Sequence, residues 1–294
     1  MATPAQWLEG ARPRTLPAAV APVVIGTAAA MVIERYDLGL ALLALVVSLC
    51  LQIAVNYAND YSDGIRGTDQ DRTGPVRLVG SGLATAANVR LAAFFFFLLA
   101  ALAGLTLVAL SGAWLLLILG ALAIIAAWRY TGGDNPYGYR GLGEVYVFVF
   151  FGLFATLGTL YTQAGAVTLT GVLGAIGVGA IASAILVANN LRDIPTDTEH
   201  GKRTLAVRLG DRRTRLLYGS LVVVSVVCVV GIAFVYPFAL IALLALAILL
   251  RPYRAIRSGA TGRALIPVLA GTGVYELVYA VLLSIGIVLS GRLL

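Results

Sequence analysis

Residues 38–60 read LGLALLALVVSLCLQIAVNYAND. From Leu38 to Val55 no side chain is charged, and Ser48 and Gln52 are the only hydroxyl or amide groups. A helix of that length is about 27 Å long, close to the roughly 30 Å hydrocarbon core of a bilayer. Strands rarely reach such lengths, so the run reads as a membrane-spanning helix. It ends on Asn56, Asn59 and Asp60, which puts amides and an acid at one membrane face.

Eight more apolar runs flank this one, over 15–33, 89–111, 113–131, 142–163, 168–191, 215–235, 237–251 and 264–290. Of the 294 residues, 60% are hydrophobic and 12% charged, with a mean hydropathy of +0.93. Those figures exclude a soluble enzyme, a disordered chain and a fibrous repeat. The expected fold is all-α: one polytopic membrane domain over 1–294 with nine transmembrane helices. No apolar core precedes Arg12 and Arg14, so the first span is expected to be retained.

The net charge of +7 is not read as nucleic-acid binding. All but two of the 21 basic residues, Arg35 and Arg292, fall on one side of the nine-span arrangement. By the positive-inside rule that side, with the N-terminus, is cytoplasmic. The two longest loops, about 61–88 and 192–214, lie there too, and long polar loops on a compact bundle are usually functional. Cys50 and Cys228 sit inside apolar runs and read as small buried hydrophobes.

Two polar clusters end the second and sixth spans at this face. The first is Asn56, Asn59, Asp60, Asp63, then Arg66, Gly67 and Asp69. On a helix, Asn56, Asn59, Asp60 and Asp63 share an arc of roughly 100°. The second is Asn189, Asn190, Arg192, Asp193, Asp197, then Lys202 and Arg203. Asn189, Asp193 and Asp197 share a face only if the helix continues through Pro195, which is expected to kink or end it. The recurrence suggests two parallel four-helix pseudo-repeats plus a ninth helix. Carboxylates at a membrane face, with amides alongside and Arg and Lys in the same loops, suit a diphosphate held by Mg²⁺. The competing reading is a set of solvated helix ends with topogenic arginines.

These residues resemble the UbiA superfamily of intramembrane prenyltransferases, whose nine helices carry two Asp-rich motifs on helices two and six. The likeness is greatest to the branch that prenylates 1,4-dihydroxy-2-naphthoate in menaquinone synthesis. Three segments carry it: Trp7 to Pro17; Asn59-Asp60-x-x-Asp63 with Gly67-x-Asp69; and Asp193-x-x-x-Asp197 with Gly201-Lys202-Arg203-Thr204. Gly67 stands where the commoner first motif has a third acid, and Asp69 supplies it two residues later, the spacing of that branch. The resemblance implies a bacterial plasma-membrane enzyme that takes a polyprenyl diphosphate. Mg²⁺-assisted ionisation gives an allylic cation that alkylates the naphthoate with loss of CO₂.

Carried over, Asp60, Asp63, Asp193 and Asp197 would hold the metal, with Lys202 beside them. Asn56, Asn59, Arg77, Asn189, Lys202 and Arg203 would bind diphosphate. Tyr57, Asp69, Tyr130, Tyr139, Arg140 and Glu144 are candidates for the acceptor or the cation, as are Tyr137 and Tyr146. Several residues carry two readings. Arg12 and Arg14 grip an anionic substrate or anchor the topology. Glu144 touches the chamber or pairs with Arg140. Glu276, in the ninth span, is structurally hydrogen-bonded or lines the chamber. His200 is expected to be neutral to function, and the Gly171 to Gly179 run to permit close helix packing. A sister transferase acting on 4-hydroxybenzoate or another acceptor is the main alternative, and a secondary transporter the distant one.

Overall fold

The computed structural model describes residues 2–67 and 77–293, and within them every regular element is helical. Asp69 and Arg72 lie outside the described residues. The helices are α1 (Pro4–Gly10), α2 (Pro17–Met31), α3 (Leu38–Ile65), α4 (Ala86–Ser111), α5 (Leu116–Arg129), α6 (Gly143–Val147), α7 (Ala155–Ala164), α8 (Leu169–Glu199), α9 (Leu205–Ala233), α10 (Leu246–Arg257) and α11 (Ile266–Leu293). A π-helical stretch, Phe148–Phe154, joins α6 to α7 without a break. A 3₁₀ stretch, Pro237–Ala245, leads into α10.

Among the described residues, seven helical segments are long and apolar enough to cross a bilayer, and an eighth arises if α1 and α2, bent by 48°, form one span. The expected fourth span is realised as α5, only 14 residues and about 21 Å long. Gly112 and Gly133, both in the left-handed region, turn the chain on either side of the run. Side-chain caps start the long helices: Asp37 accepts from Leu40 N at 2.9 Å, and Thr85, Thr168 and Thr204 cap α4, α8 and α9.

Pro195 does not end α8, contrary to expectation; the helix runs on to Glu199. The lost hydrogen bond falls one turn from the end of a 31-residue helix. Pro195 itself is exposed, so its ring meets no packed neighbour there. Asp193 and Asp197 therefore share a face.

The main core gathers α2, α8, α9, the 3₁₀ stretch and α11 around Ile25, Val178, Ile181, Val229 and Leu283. The glycine run in α8 permits close contact: a Cβ on Gly179 would stand 2.8 Å from the Cα of Gly152 in the π-helical stretch. Between α9 and α11, Tyr218 and Thr272 share a hydrogen bond at 2.8 Å, and Ser225 and Tyr275 one at 2.9 Å. Glu276 does neither thing expected of it. It is fully buried, neither carboxyl oxygen has a hydrogen-bond partner among the described residues, and it does not line the chamber.

Candidate active site

The C-terminal ends of α3 and α8 meet at the mouth of one cavity of about 940 Å³. Its far wall is apolar and comes from α3, α4, α5 and the α6–α7 span. Leu105, Leu115 and Leu117 line it although they are 49%, 71% and 38% exposed. The cavity is therefore open on the side of α4 and α5, toward lipid in a membrane-embedded chain.

Its polar end is built from both motifs. Asn56, Asn59 and Asp63 from α3, Asn189, Asn190 and Asp197 from α8, and Arg77 and Lys202 from the segments that follow all line it. Asp63 joins the halves: its Oδ1 accepts from the Tyr139 hydroxyl at 2.5 Å and lies 3.6 Å from Lys202 Nζ. Lys202 Nζ also stands 4.5 Å from the centre of the Tyr139 ring, a cation–π distance. Lys202 reaches this place because Gly201, in the left-handed region, reverses the chain and Lys202 N donates to Asp197 O at 2.8 Å.

Neighbouring segments are latched to α3. Thr131 Oγ1 donates to Asn59 Oδ1 at 2.8 Å, and Arg66 donates to the carbonyls of Thr131 and Gly133. Asn56 Nδ2 donates to Ala11 O and Thr15 Oγ1, both at 2.9 Å. This fixes the segment that carries Arg12 and Arg14 over the cavity, which both residues line. Arg12 takes a left-handed backbone (φ 53°), a strained state for a residue with a Cβ.

An aromatic ladder descends from the mouth. Tyr130 and Tyr137 have ring centres 5.5 Å apart, Tyr137 and Tyr146 stack at 3.8 Å, and Phe150 and Phe154 continue at 6.0 and 5.1 Å. All five line the cavity. Burial first, and then the neighbouring Tyr130 and Tyr146, push the Tyr137 phenol above its ordinary pKa, so it stays a hydrogen-bond donor at neutral pH. The π-helical stretch keeps Tyr146, Phe150, Phe154 and Gly158 on one side; in an unbroken α-helix each step of four would drift by about 40°.

Other sequence candidates fall elsewhere. Asp60 is 1% exposed, and its carboxylate accepts from the backbone N–H groups of Leu78 (2.7 Å) and Val79 (3.0 Å). Asp193 pairs bidentately with Arg192, both bonds at 2.7 Å. Neither acid is among the lining residues. Tyr57 is not brought to the cavity: its hydroxyl donates to Trp7 O at 2.7 Å and its ring packs between Trp7 and Phe96. The Arg203 side chain is exposed and off the cavity, while its backbone N donates to Tyr139 O at 2.9 Å. Arg140 is exposed and makes no ion pair with Glu144, whose Oε1 accepts from Asn190 instead. His200 is exposed, with Nδ1 2.8 Å from Thr196 O.

Asn190, Thr131, Phe150 and Phe154 had no assigned role in the sequence. The spacing of Tyr146, Phe150 and Phe154 at steps of four was the available signal for the ladder.

The donor chemistry fits Mg²⁺. No three acids, cysteines or histidines cluster as a ready-made cage among the described residues. Mg²⁺ is usually held by one or two carboxylates with substrate phosphates completing the shell. Asp63 and Asp197 supply two carboxylates, and Asn56, Asn59 and Asn189 line the same cavity.

The chain matches the UbiA prenyltransferase family over residues 19–265. A protein named 1,4-dihydroxy-2-naphthoate octaprenyltransferase from Mycobacterium tuberculosis is 56% identical over 280 residues, 95% of this chain and 96% of the relative. One of the same name from Escherichia coli is 45% identical over 228 residues, 76% and 74% of the two chains. A UbiA homolog from Archaeoglobus fulgidus, solved with DMAPP and Mg²⁺, superposes with a TM-score of 0.66 at 17% identity. It covers 98% of this chain and 100% of its own, and at that identity the likeness is one of fold. The matched stretch runs from the first span to the start of the last helix, and the chain belongs to the UbiA prenyltransferase family.

Proposed function

We propose that the chain transfers a polyprenyl group from its diphosphate to 1,4-dihydroxy-2-naphthoate, the demethylmenaquinol-forming step of menaquinone synthesis. The observation that carries this is the junction at Asp63, Tyr139 and Lys202, where both motif segments meet at the polar mouth of an apolar, laterally open cavity. The names of the relatives at 45–56% identity support the acceptor.

Diphosphate binds at the mouth against Lys202 and Arg77, with Asn56, Asn59 and Asn189 beside it. Asp63 and Asp197 would hold Mg²⁺, which would supply neutralisation of the charge on the leaving diphosphate. Asp60 braces the turn at Leu78 and Val79, and Asp193 pairs with the neighbouring Arg192. The allylic C–O bond breaks and its electron pair leaves with diphosphate. The tyrosine faces of the ladder stabilise the cation, and the tail lies along Phe150 and Phe154 toward the lipid opening. The ring carbon bearing the carboxylate attacks, a C–C bond forms and CO₂ departs. Carbon dioxide is the electrofuge, so no ring proton need be removed.

The chain is one domain over 1–294 and crosses a bacterial plasma membrane nine times, N-terminus inside, as two four-helix repeats plus α11. The bent α1–α2 pair and the short α5 supply the two irregular crossings. The similar packing of α3 on α4 and of α8 on α9 supports the repeat.

The test is a competition assay on purified protein in detergent. It supplies Mg²⁺, a polyprenyl diphosphate, and equal 1,4-dihydroxy-2-naphthoate and 4-hydroxybenzoate, with products read by mass spectrometry. A prenylated, decarboxylated naphthoquinol is expected. Prenylated hydroxybenzoate alone would overturn the acceptor, and no prenylated product would overturn the reaction.

A further inference from the structure

Glu144 is the second residue of α6, 7% exposed, and does not line the cavity. Its Oε1 accepts from Asn190 Nδ2 at 2.9 Å, and its backbone carbonyl accepts from Ser183 Oγ at 3.2 Å, so α6 is pinned to α8 at two points. Asn190 is equally buried yet does line the cavity. A side-chain amide has one donating and one accepting end. With Nδ2 held by Glu144, Oδ1 is the remaining polar end of an amide whose residue lines the cavity.

The surroundings are those of a flat ring site. A Cβ on Gly143, next to Glu144, would stand 3.3 Å from the Tyr130 ring and 3.2 Å from Leu186, one helical turn before Asn190. Tyr130 begins the stack that continues through Tyr137 and Tyr146.

A lone amide oxygen selects a hydrogen-bond donor. Of the two substrates in the proposed reaction, the polyprenyl diphosphate offers only accepting oxygens at neutral pH. The dihydroxynaphthoate alone carries O–H groups. We infer that Glu144 is a positioning residue that holds the Asn190 amide so that Oδ1 accepts a hydrogen bond from a ring hydroxyl of the aromatic acceptor. This rests on the proposed reaction and adds how its acceptor is recognised. The bond fixes the ring in its plane against the tyrosines, and losing the Glu144 contact frees the amide to rotate.

The experiment compares wild type with Glu144→Leu, Glu144→Gln and Asn190→Ala. Substrates are 1,4-dihydroxy-2-naphthoate and its two mono-O-methyl ethers, at fixed polyprenyl diphosphate and Mg²⁺. Wild type should prefer the dihydroxy compound to one ether by about tenfold, the value of one hydrogen bond near 1.4 kcal/mol. Glu144→Leu should raise the acceptor KM by about the same factor, leave the KM for polyprenyl diphosphate unchanged, and erase the preference. Glu144→Gln, which keeps an accepting oxygen, should restore it. Asn190→Ala removes Oδ1 itself and should erase the preference even where Glu144→Leu does not fold. A merely structural pair would lower turnover on all three substrates alike. Equal loss, or a preference kept in Asn190→Ala, overturns the inference while leaving the reaction standing. A wild type that prenylates none of the three overturns both.

Discussion

Asp60→Asn separates two roles for an acid that the family resemblance casts as a metal ligand. In the structure Asp60 caps the turn after the first motif, accepting two buried backbone N–H groups from Leu78 and Val79. Leu78 is fully buried, and Arg77, on the cavity wall, is its neighbour. Asparagine keeps one accepting oxygen but turns an NH₂ toward the second donor. One charge-assisted hydrogen bond is worth about 1.5–3 kcal/mol, and the donor left facing a donor adds to the loss. The turn should therefore open more easily by about 2–4 kcal/mol. At 1.4 kcal/mol per factor of ten, amide hydrogen exchange in a peptide covering Leu78 and Val79 should speed up by roughly 30-fold or more. The exchange is read by mass spectrometry on the protein in detergent, together with the Mg²⁺ concentration for half-maximal activity. Activity should fall because Arg77 is no longer held, while the half-maximal Mg²⁺ concentration stays near that of wild type. Unchanged exchange at Leu78 and Val79 with a large rise in the Mg²⁺ requirement would refute the reasoning and make Asp60 a ligand.

Three other substitutions test neighbouring features. Tyr139→Phe removes the hydroxyl that donates to Asp63 but keeps the ring beneath Lys202, and kcat/KM should fall about tenfold, as steady-state kinetics will read. Glu276→Met replaces a buried carboxyl that has no hydrogen-bond partner among the described residues with an apolar chain of similar size. It should raise stability by about 1–3 kcal/mol, seen as a higher Tm in detergent, with turnover kept because the residue is off the cavity. Tyr57→Phe loses the bond to the Trp7 carbonyl, so thermal unfolding should report a loss of about 1 kcal/mol with neither substrate's KM altered.

The apolar runs made the helices legible, because a bilayer-length stretch without charge has few other structures open to it. What they did not show was which helices would be regular. The bend between α1 and α2, the 14-residue α5 and the 3₁₀ start of the eighth span are not set by apolar content. Pro195 misled for a local reason: its penalty is real, but it falls one turn from the end of a 31-residue helix.

At the site, Asp63, Asp197 and Lys202 were visible from residue type and spacing, and the structure brings them to one mouth. Spacing alone could not distinguish Asp63 from Asp60. Three residues apart on a helix, they share a face, yet Asp60 meets the backbone of a loop whose path the sequence does not give. The Glu144–Asn190 contact spans 46 positions, and no local pattern announces it. The aromatic ladder needed the π-helical turn, which keeps steps of four aligned where the sequence suggests an ordinary helix.

The most direct measurement follows the carboxylate carbon. With 1,4-dihydroxy-2-naphthoate labelled at the carboxyl group, polyprenyl diphosphate and Mg²⁺, the purified protein should release one labelled CO₂ for each diphosphate. The prenylated ring should carry no label, and EDTA should stop both releases together. Diphosphate release without labelled CO₂, a prenylated product that keeps its label, or full turnover in EDTA would contradict ionisation at the Asp63–Lys202 mouth followed by attack of the carboxylate-bearing carbon.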